Sequence, residues 1–160
     1  MEIRQRVREV LMDDGWALVK VNRVPDRPGI SAGIFGAIAE AGISADLILQ
    51  NASVERFTDV SFTVRQAEAA RAVQCLEALH GQLGAEGVEA IEHLSKAEIV
   101  GTGILSDSSH VGLLFQALAD AEVNVLAIGT SEVRISCLIH QGQRKRAEKA
   151  LNVAFHVGVD

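Results

Sequence analysis

The chain repeats itself. "FGAIAEAGIS" begins at Phe35 and "FQALADAEVN" at Phe115, half a chain length apart. Phe35/Phe115, Ala37/Ala117, Ala39/Ala119 and Ala41/Ala121 are identical, and Ile43/Val123 is a like pair. Self-similarity over so long a period means that one supersecondary unit is used twice, which restricts the fold more than any composition can. The flanks repeat too. "ALVKVNRV" and "AEIVGTGI" precede the two helical stretches, and "ADLILQN" and "VLAIGTS" follow them. Next come "TDVSFTVR" and "EVRISCLIH", which alternate apolar and polar residues with the period of a strand. Helical stretches close each half: "QAEAARAVQCLEALHGQL" and "QRKRAEKALNVAF". Each half therefore reads strand–helix–strand–strand–helix.

A fourth strand completes such a unit as βαββαβ, the ferredoxin-like arrangement. In the first half "GVEAIEHL" supplies it. In the second half only "HVGVD" follows Phe155, which is short for a strand. The N-terminal "RVREVLMD" has no role in the first half and alternates Val7, Glu9, Leu11 with Arg8, Val10, Met12. Two readings stand. It is the missing strand of the second sheet, or it is a short helix, since Arg, Glu, Leu and Met are good helix formers. The first reading gives an α+β protein of two interlocked units, the first inserted into the second. Their expected extents are 17–95, and 5–13 plus 96–157.

Composition narrows the function classes. Apolar residues make up 48%, aromatic residues only 4%, and there is no Tyr, so a core of Ala, Val, Ile and Leu is expected. A net charge of −6 argues against a nucleic-acid surface or an anionic-lipid surface. The basic cluster "QRKRAEKA" reads as the exposed face of a late helix. No apolar run approaches the roughly 18–20 residues of a membrane span, and the N-terminus lacks a signal-peptide core; a cytoplasmic protein is expected. Cys75 and Cys137 are not in a Cys-x-x-Cys pair and read as buried, inert thiols.

Enzyme chemistry is not apparent. "GTGILS" has Ser106 where a dinucleotide fingerprint needs its third glycine, so it reads as a strand-end turn. There is no phosphate-cradling Gly-Lys-Ser/Thr loop and no Ser/His/Asp signature. His80, His93, His110, His140 and His156 lack metal-ligand spacing and read as surface or edge histidines. Asp13-Asp14 reads as a turn before Gly15. No metal set and no cofactor are expected, which leaves binding.

The one stretch suited to binding is "VPDRPGISAGIFGAIAEAGI", Val24 to Ile43. Asp26, Arg27 and Pro28 restrict the backbone where a helix begins, and Gly29 permits an unusual φ or a close approach. The N–H groups of Ile30, Ser31 and Ala32 would lack intrahelical acceptors and, with the helix dipole, favour a carboxylate. Asp26 or Asp46 would then pair with an α-amino group. A plain structural turn fits the same residues. At the matching place the second half carries Asp107, Ser108, Ser109 and His110, where a serine is expected to cap the helix.

A resemblance adds to this. "VPDRPGISAGIFGAIAEAGISADLILQN", "TDVSFTV", "AEIVGTGI" and "GTSEVRISCLI" resemble the tandem ACT-domain regulatory region of aspartate kinase, the form that also occurs as a separate β subunit. The resemblance runs from about Val10 to Phe155. It implies two ACT units with the N-terminal strand in the second, and feedback control of aspartate-family amino-acid biosynthesis by lysine or threonine. Carried over by position, Asp26, Gly29, Ile30 and Ser31 form the loop of the first effector site, and Ser44, Ala45, Asp46 and Gln50 its opposing strand. Asn124 and Val125 contribute from the second unit. Thr130, Ser131 and Glu132 match the family segment where inhibition is controlled. The chain departs from the family at Ser44-Ala45, usually Asn-Ile or Asn-Val, and at Ile104–Ser109, usually Met-Arg/Lys-Ser-His-Pro-Gly. The implied partners are a free amino acid, a second copy in a homodimer, and a kinase catalytic domain or α subunit; ATP belongs only to that kinase domain. A free-standing ACT pair that regulates another enzyme, or a structural dimerisation module, are the alternatives.

Overall fold

A computed structural model describes residues 7–158. They form β1 Glu9–Pro25, α1 Ile30–Glu40, β2 Ile48–Gln50, β3 Phe57–Arg65, α2 Ala69–Glu77, α3 His80–Leu83, β4 Gly87–Val100, α4 Ser109–Asp120, β5 Ala127–Ser131, β6 Arg134–His140 and α5 Arg144–Phe155. Two strands are longer than the sequence suggests. β1 joins "RVREVLMD" to "ALVKVNRV", and β4 joins "GVEAIEHL" to "AEIVGTGI". The N-terminal stretch is thus strand from Glu9 onward rather than helix; residues 5 and 6 of the expected boundary lie outside the described residues.

Asp13-Asp14 is not in a turn, contrary to the sequence reading. β1 continues through it because Gly15, at φ 83, absorbs the distortion inside the strand. Asp14 takes a hydrogen bond from the Ser95 hydroxyl and lies 3.0 Å from Arg144 Nε, an ion pair whose N–H is not aligned for a hydrogen bond. Strand pairing and these partners satisfy the groups that a turn would otherwise serve.

The chain divides into two compact units. The first comprises Gly15–His93, with strand order β2-β3-β1-β4 and antiparallel pairing of β2 with β3 and of β3 with β1. The second comprises the described residues 7–14 and 94–158, in the order β5-β6-β4-β1. In it the Arg8 N–H donates to the Val100 carbonyl at 2.8 Å. Each is a ferredoxin-like βαββαβ unit, and the first is inserted into the second.

Periodicity explains each core. In the first unit Ala17, Val19 and Val21 of β1 and Val60, Phe62 and Val64 of β3 face Ile30, Ile34 and Ile38 of α1 and Ala69, Ala72 and Leu76 of α2. In the second, Ala97 and Ile99 of β4 and Ile135, Cys137 and Ile139 of β6 face His110, Leu114 and Leu118 of α4 and Ala147, Leu151 and Phe155 of α5. Ile38 and Leu118 keep the spacing of Phe35 and Phe115, whereas Leu76 and Leu151 lie closer together in sequence. The difference arises at the β2–β3 connection, which is Asn51–Arg56 in the first unit and only Glu132–Val133 in the second.

His110 corrects a sequence expectation. It is fully buried, whereas His80, His93, His140 and His156 are exposed. In the register that aligns Phe35 with Phe115 it occupies the place of Ile30, the first inward position of its helix. Its Nδ1 lies 3.2 Å from the Asp107 carbonyl. Cys137 is buried, and burial pushes its thiol up to about 12, so it stays protonated near neutral pH. Cys75 is only half-buried, with Sγ 3.5 Å from the Ala37 carbonyl.

Candidate functional site

The corner between β1 and α1 is built by three backbone events. β1 slips register between Val21 and Val24, so Val24 rather than Arg23 turns into the core. The Asp26 N–H then donates to the Arg56 carbonyl at 2.8 Å, tying the corner to the β2–β3 connection. Finally Gly29 caps α1 at φ 95, in the left-handed region. The Gly33 N–H reaches back to the Gly29 carbonyl at 2.9 Å, and the Ile30 N–H to the Arg27 carbonyl at 3.4 Å. Among the described residues Ser31 and Ala32 have no backbone acceptors for their N–H groups. Two donors, rather than the three expected from sequence, therefore point out of the corner.

Sequence-predicted residues of the first unit sit as follows. Asp26 and Gly29 are exposed, Ile30 is buried and Ser31 is half-buried. The Ser31 hydroxyl donates to Gln50 Oε1 at 3.2 Å, which joins the corner to β2. Gln50 is on β2 opposite Val60. Ser44 is exposed after α1, Ala45 packs against the core, and the Asp46 N–H donates to the Thr63 carbonyl at 3.0 Å. The remaining predicted residues belong to the second unit. The Asn124 N–H donates to Gln143 Oε1 at 3.3 Å, and Val125 packs on that unit's core. Thr130 and Ser131 end β5, opposite Ile135 and Arg134, and Glu132 starts the short hairpin loop.

The matching corner of the second unit is built differently. No serine side chain caps α4; the Asp107 carboxylate instead accepts the Ser109 N–H at 2.9 Å. The expectation of a serine cap is corrected: Asp107 reaches forward along the chain, as Asp commonly does at helix starts. This corner spends a backbone donor on its own carboxylate and has no glycine at the position of Gly29.

Gly29 carries a direct test of the first corner. A Cβ built there meets no atom within 4 Å, so Gly29→Ala is penalised through backbone conformation alone. We expect a loss of about 1–2 kcal/mol in urea unfolding, the cost of a left-handed non-glycine residue. No loss would show that the corner relaxes to another conformation.

Sequence reasoning missed the groups around Arg23. Its backbone N–H donates to Asp59 Oδ1 at 2.7 Å, and its guanidinium lies 4.1 Å from the Phe57 ring centroid. A signal was available: Arg23 matches Gly103 in the repeat, a glycine-to-arginine exchange at a strand end. Also missed was the buried Glu98, which accepts from the Ser136 hydroxyl and lies 3.4 Å from Arg134. No group of potential metal ligands and no helix long and apolar enough to cross a membrane occurs among the described residues.

Comparison with known proteins agrees with the fold. The family model described as "ACT domain" matches residues 22–79 and 98–155. An aspartokinase of Mycolicibacterium smegmatis is 38% identical over 153 residues, covering 94% of this chain and 36% of that protein. The chain thus spans about a third of the length of the curated relatives it matches. The crystal structure of the regulatory subunit of aspartate kinase from Thermus flavus superposes with a TM-score of 0.88 at 34% identity, covering 94% of this chain and 99% of that one. A chain from the crystal structure of aspartokinase alpha and beta subunits does so with a TM-score of 0.87 at 32% identity, covering 94% and 99%. With two matched ACT segments on two ferredoxin-like units, the chain belongs to the ACT domain family, in the tandem form of the aspartate kinase regulatory region.

Proposed function

We propose that the chain binds a free amino acid at the corner of its first unit and so controls an aspartate kinase catalytic part by feedback. The carrying observation is the corner itself: Gly29 at φ 95, with the Ser31 and Ala32 N–H groups given no backbone acceptor among the described residues and Gln50 joined to the Ser31 hydroxyl. The two donors and the helix dipole receive the α-carboxylate. Asp26 or Asp46 takes the α-ammonium. Ser44, Ala45, Gln50, Asn124, Val125 and Thr130–Glu132 are assigned to the same effector system on the family pattern. Lysine and threonine are the effectors proposed. The solved alpha and beta subunit assembly supports a catalytic partner. The chain acts in the cytoplasm on this reading.

Calorimetry against lysine and threonine tests it. Asp26→Ala is expected to weaken binding by about 1.5–3 kcal/mol, the worth of a hydrogen bond to a charged group. Asp107→Ala, at the corner that lacks the glycine, should change affinity little, although it removes a helix cap worth about 0.5–2 kcal/mol of stability. Binding lost with Asp107→Ala and kept with Asp26→Ala would reverse the assignment.

A homodimer is part of the reading. The edge strands β2 and β5 expose Ile48 (58%) and Ile128 (42%) at matching places of the repeat. Unpaired edges that carry apolar side chains are covered by association. Sedimentation at tens of micromolar, a concentration of the order that saturates a micromolar interface, is expected to show a dimer; a monomer there would remove this part. The two ACT units purified by themselves should not transfer phosphate from ATP to aspartate, and turnover that survives repurification would contradict that.

A further inference from the structure

The repeat requires a left-handed backbone at the same place in both units. Gly103 adopts it at φ 71, and its counterpart in the first unit is Arg23 at φ 48. Each is followed by a fully buried aliphatic residue, Val24 or Ile104. The second unit fills the position with the residue that adopts it freely. The first unit uses arginine, at a conformational cost. Strain of this kind persists where surrounding groups hold it, and it directs attention to what the side chain does.

Two groups hold Arg23. The Asp59 carboxylate accepts its backbone N–H at 2.7 Å, and the Phe57 ring supports its guanidinium at 4.1 Å. In the register that aligns Val60 with Ile135, Asp59 and Phe57 are replaced by Arg134 and Glu132, so the second unit has neither device. Among the described residues the guanidinium donates no hydrogen bond and joins no ion pair. A fork stacked on an aromatic face is pre-organised for a planar carboxylate.

This fork lines a surface depression of about 690 Å³, with Asn51, Ala52, Phe57, Asp59 and Glu86. That size falls in the range of small-molecule sites. None of its lining residues belongs to the Asp26–Ser31 corner or its opposing strand. The wider connection Asn51–Arg56, which the second unit lacks, forms one wall. Glu55 and Glu86 also line it and make no ion pair among the described residues. An anion alone would meet three carboxylates there, and a cation alone would meet the guanidinium. A molecule carrying both charges matches both.

We propose that this depression is a second binding site, for a small zwitterion of the α-amino acid class. Its carboxylate takes the bidentate fork of Arg23, and its ammonium lies against Asp59 and Glu86. The Phe57 ring and Ala52 supply the apolar wall.

The purified chain is titrated with each of the twenty proteinogenic L-amino acids and followed by amide NMR. At least one is expected to shift the Asn51, Asp59 and Gly87 amides saturably. Arg23→Gly, which installs the residue of the other unit, is expected to keep or raise the thermal midpoint and to weaken this binding at least about ten-fold, as loss of a charge-assisted pair does. Asp26→Ala should leave it unchanged, so the corner and the depression are read separately. Three results would each overturn the proposal: no saturable shift at these amides up to about 10 mM, a range covering millimolar affinity; shifts that survive Arg23→Gly; or the same shifts produced as tightly by acetate alone.

Discussion

Removal of the chain through Met12 is expected to loosen the second unit far more than the first. That unit would lose Val7, which is 4% exposed, the half-buried Val10 and Met12, and the Arg8 N–H bond to Val100. Burial of one full and two partial aliphatic side chains is worth about 3–5 kcal/mol. A whole domain of this size is stable by only about 5–15 kcal/mol, so the loss is a large share of the unit's stability. Asp14 is kept, so its links to Ser95 and Arg144 survive and the effect isolates the strand. Hydrogen exchange should rise across Arg134–His140 and little across Phe57–Arg65. Equal protection of the two strands in the truncated chain would show that β1 contributes little to the second sheet.

The second large effect belongs to Phe62. It is fully buried, and its ring meets Phe35 edge-on with centroids 5.4 Å apart at 67°. Phe62→Ala removes that pair and leaves a cavity between β3 and α1, at a cost of about 3–5 kcal/mol. Its counterpart on β6 is Cys137, a far smaller side chain, so the second core does not depend on an aromatic pair there. Urea unfolding of the intact chain measures the loss. A value under about 1.5 kcal/mol would mean that the small aliphatic residues around the site close over the gap.

Much of this was legible in the sequence because it is periodic. The repeat placed strands and helices, and alternation in "TDVSFTVR" and "EVRISCLIH" identified which side chains enter the cores. What stayed hidden was non-periodic. Asp13-Asp14-Gly15 carries turn chemistry, yet the ladder pairing of β1 overrides it. His110 reads as polar by type, but its place in the repeat is that of Ile30, and place decides burial. The slip that turns Val24 inward depends on a left-handed Arg23, a conformation that arginine does not announce. The corner was readable from Pro28 and Gly29 alone, since those residues restrict the backbone by themselves. The depression was not, because it joins residues from β1, the β2–β3 connection and the start of β4, which no local pattern links.

The insertion of one unit in the other also orders events during synthesis. The strand that closes the second sheet leaves the ribosome before residues 15–93 do, and its neighbour Val100 follows only after the whole first unit has been made. Residues 15–93 can fold on emergence, whereas the stretch at Val7–Asp14 must wait with its apolar face uncovered. Joining Arg8 to Val100 closes a long loop, but with the first unit already compact the two ends have little chain entropy left to lose. A cut between His93 and Leu94 would therefore not yield two equal halves: the later fragment would lack an edge strand. Moving Val7–Asp14 to follow Gly158 would give two units, each contiguous in sequence, and each able to complete its sheet in the order it is made.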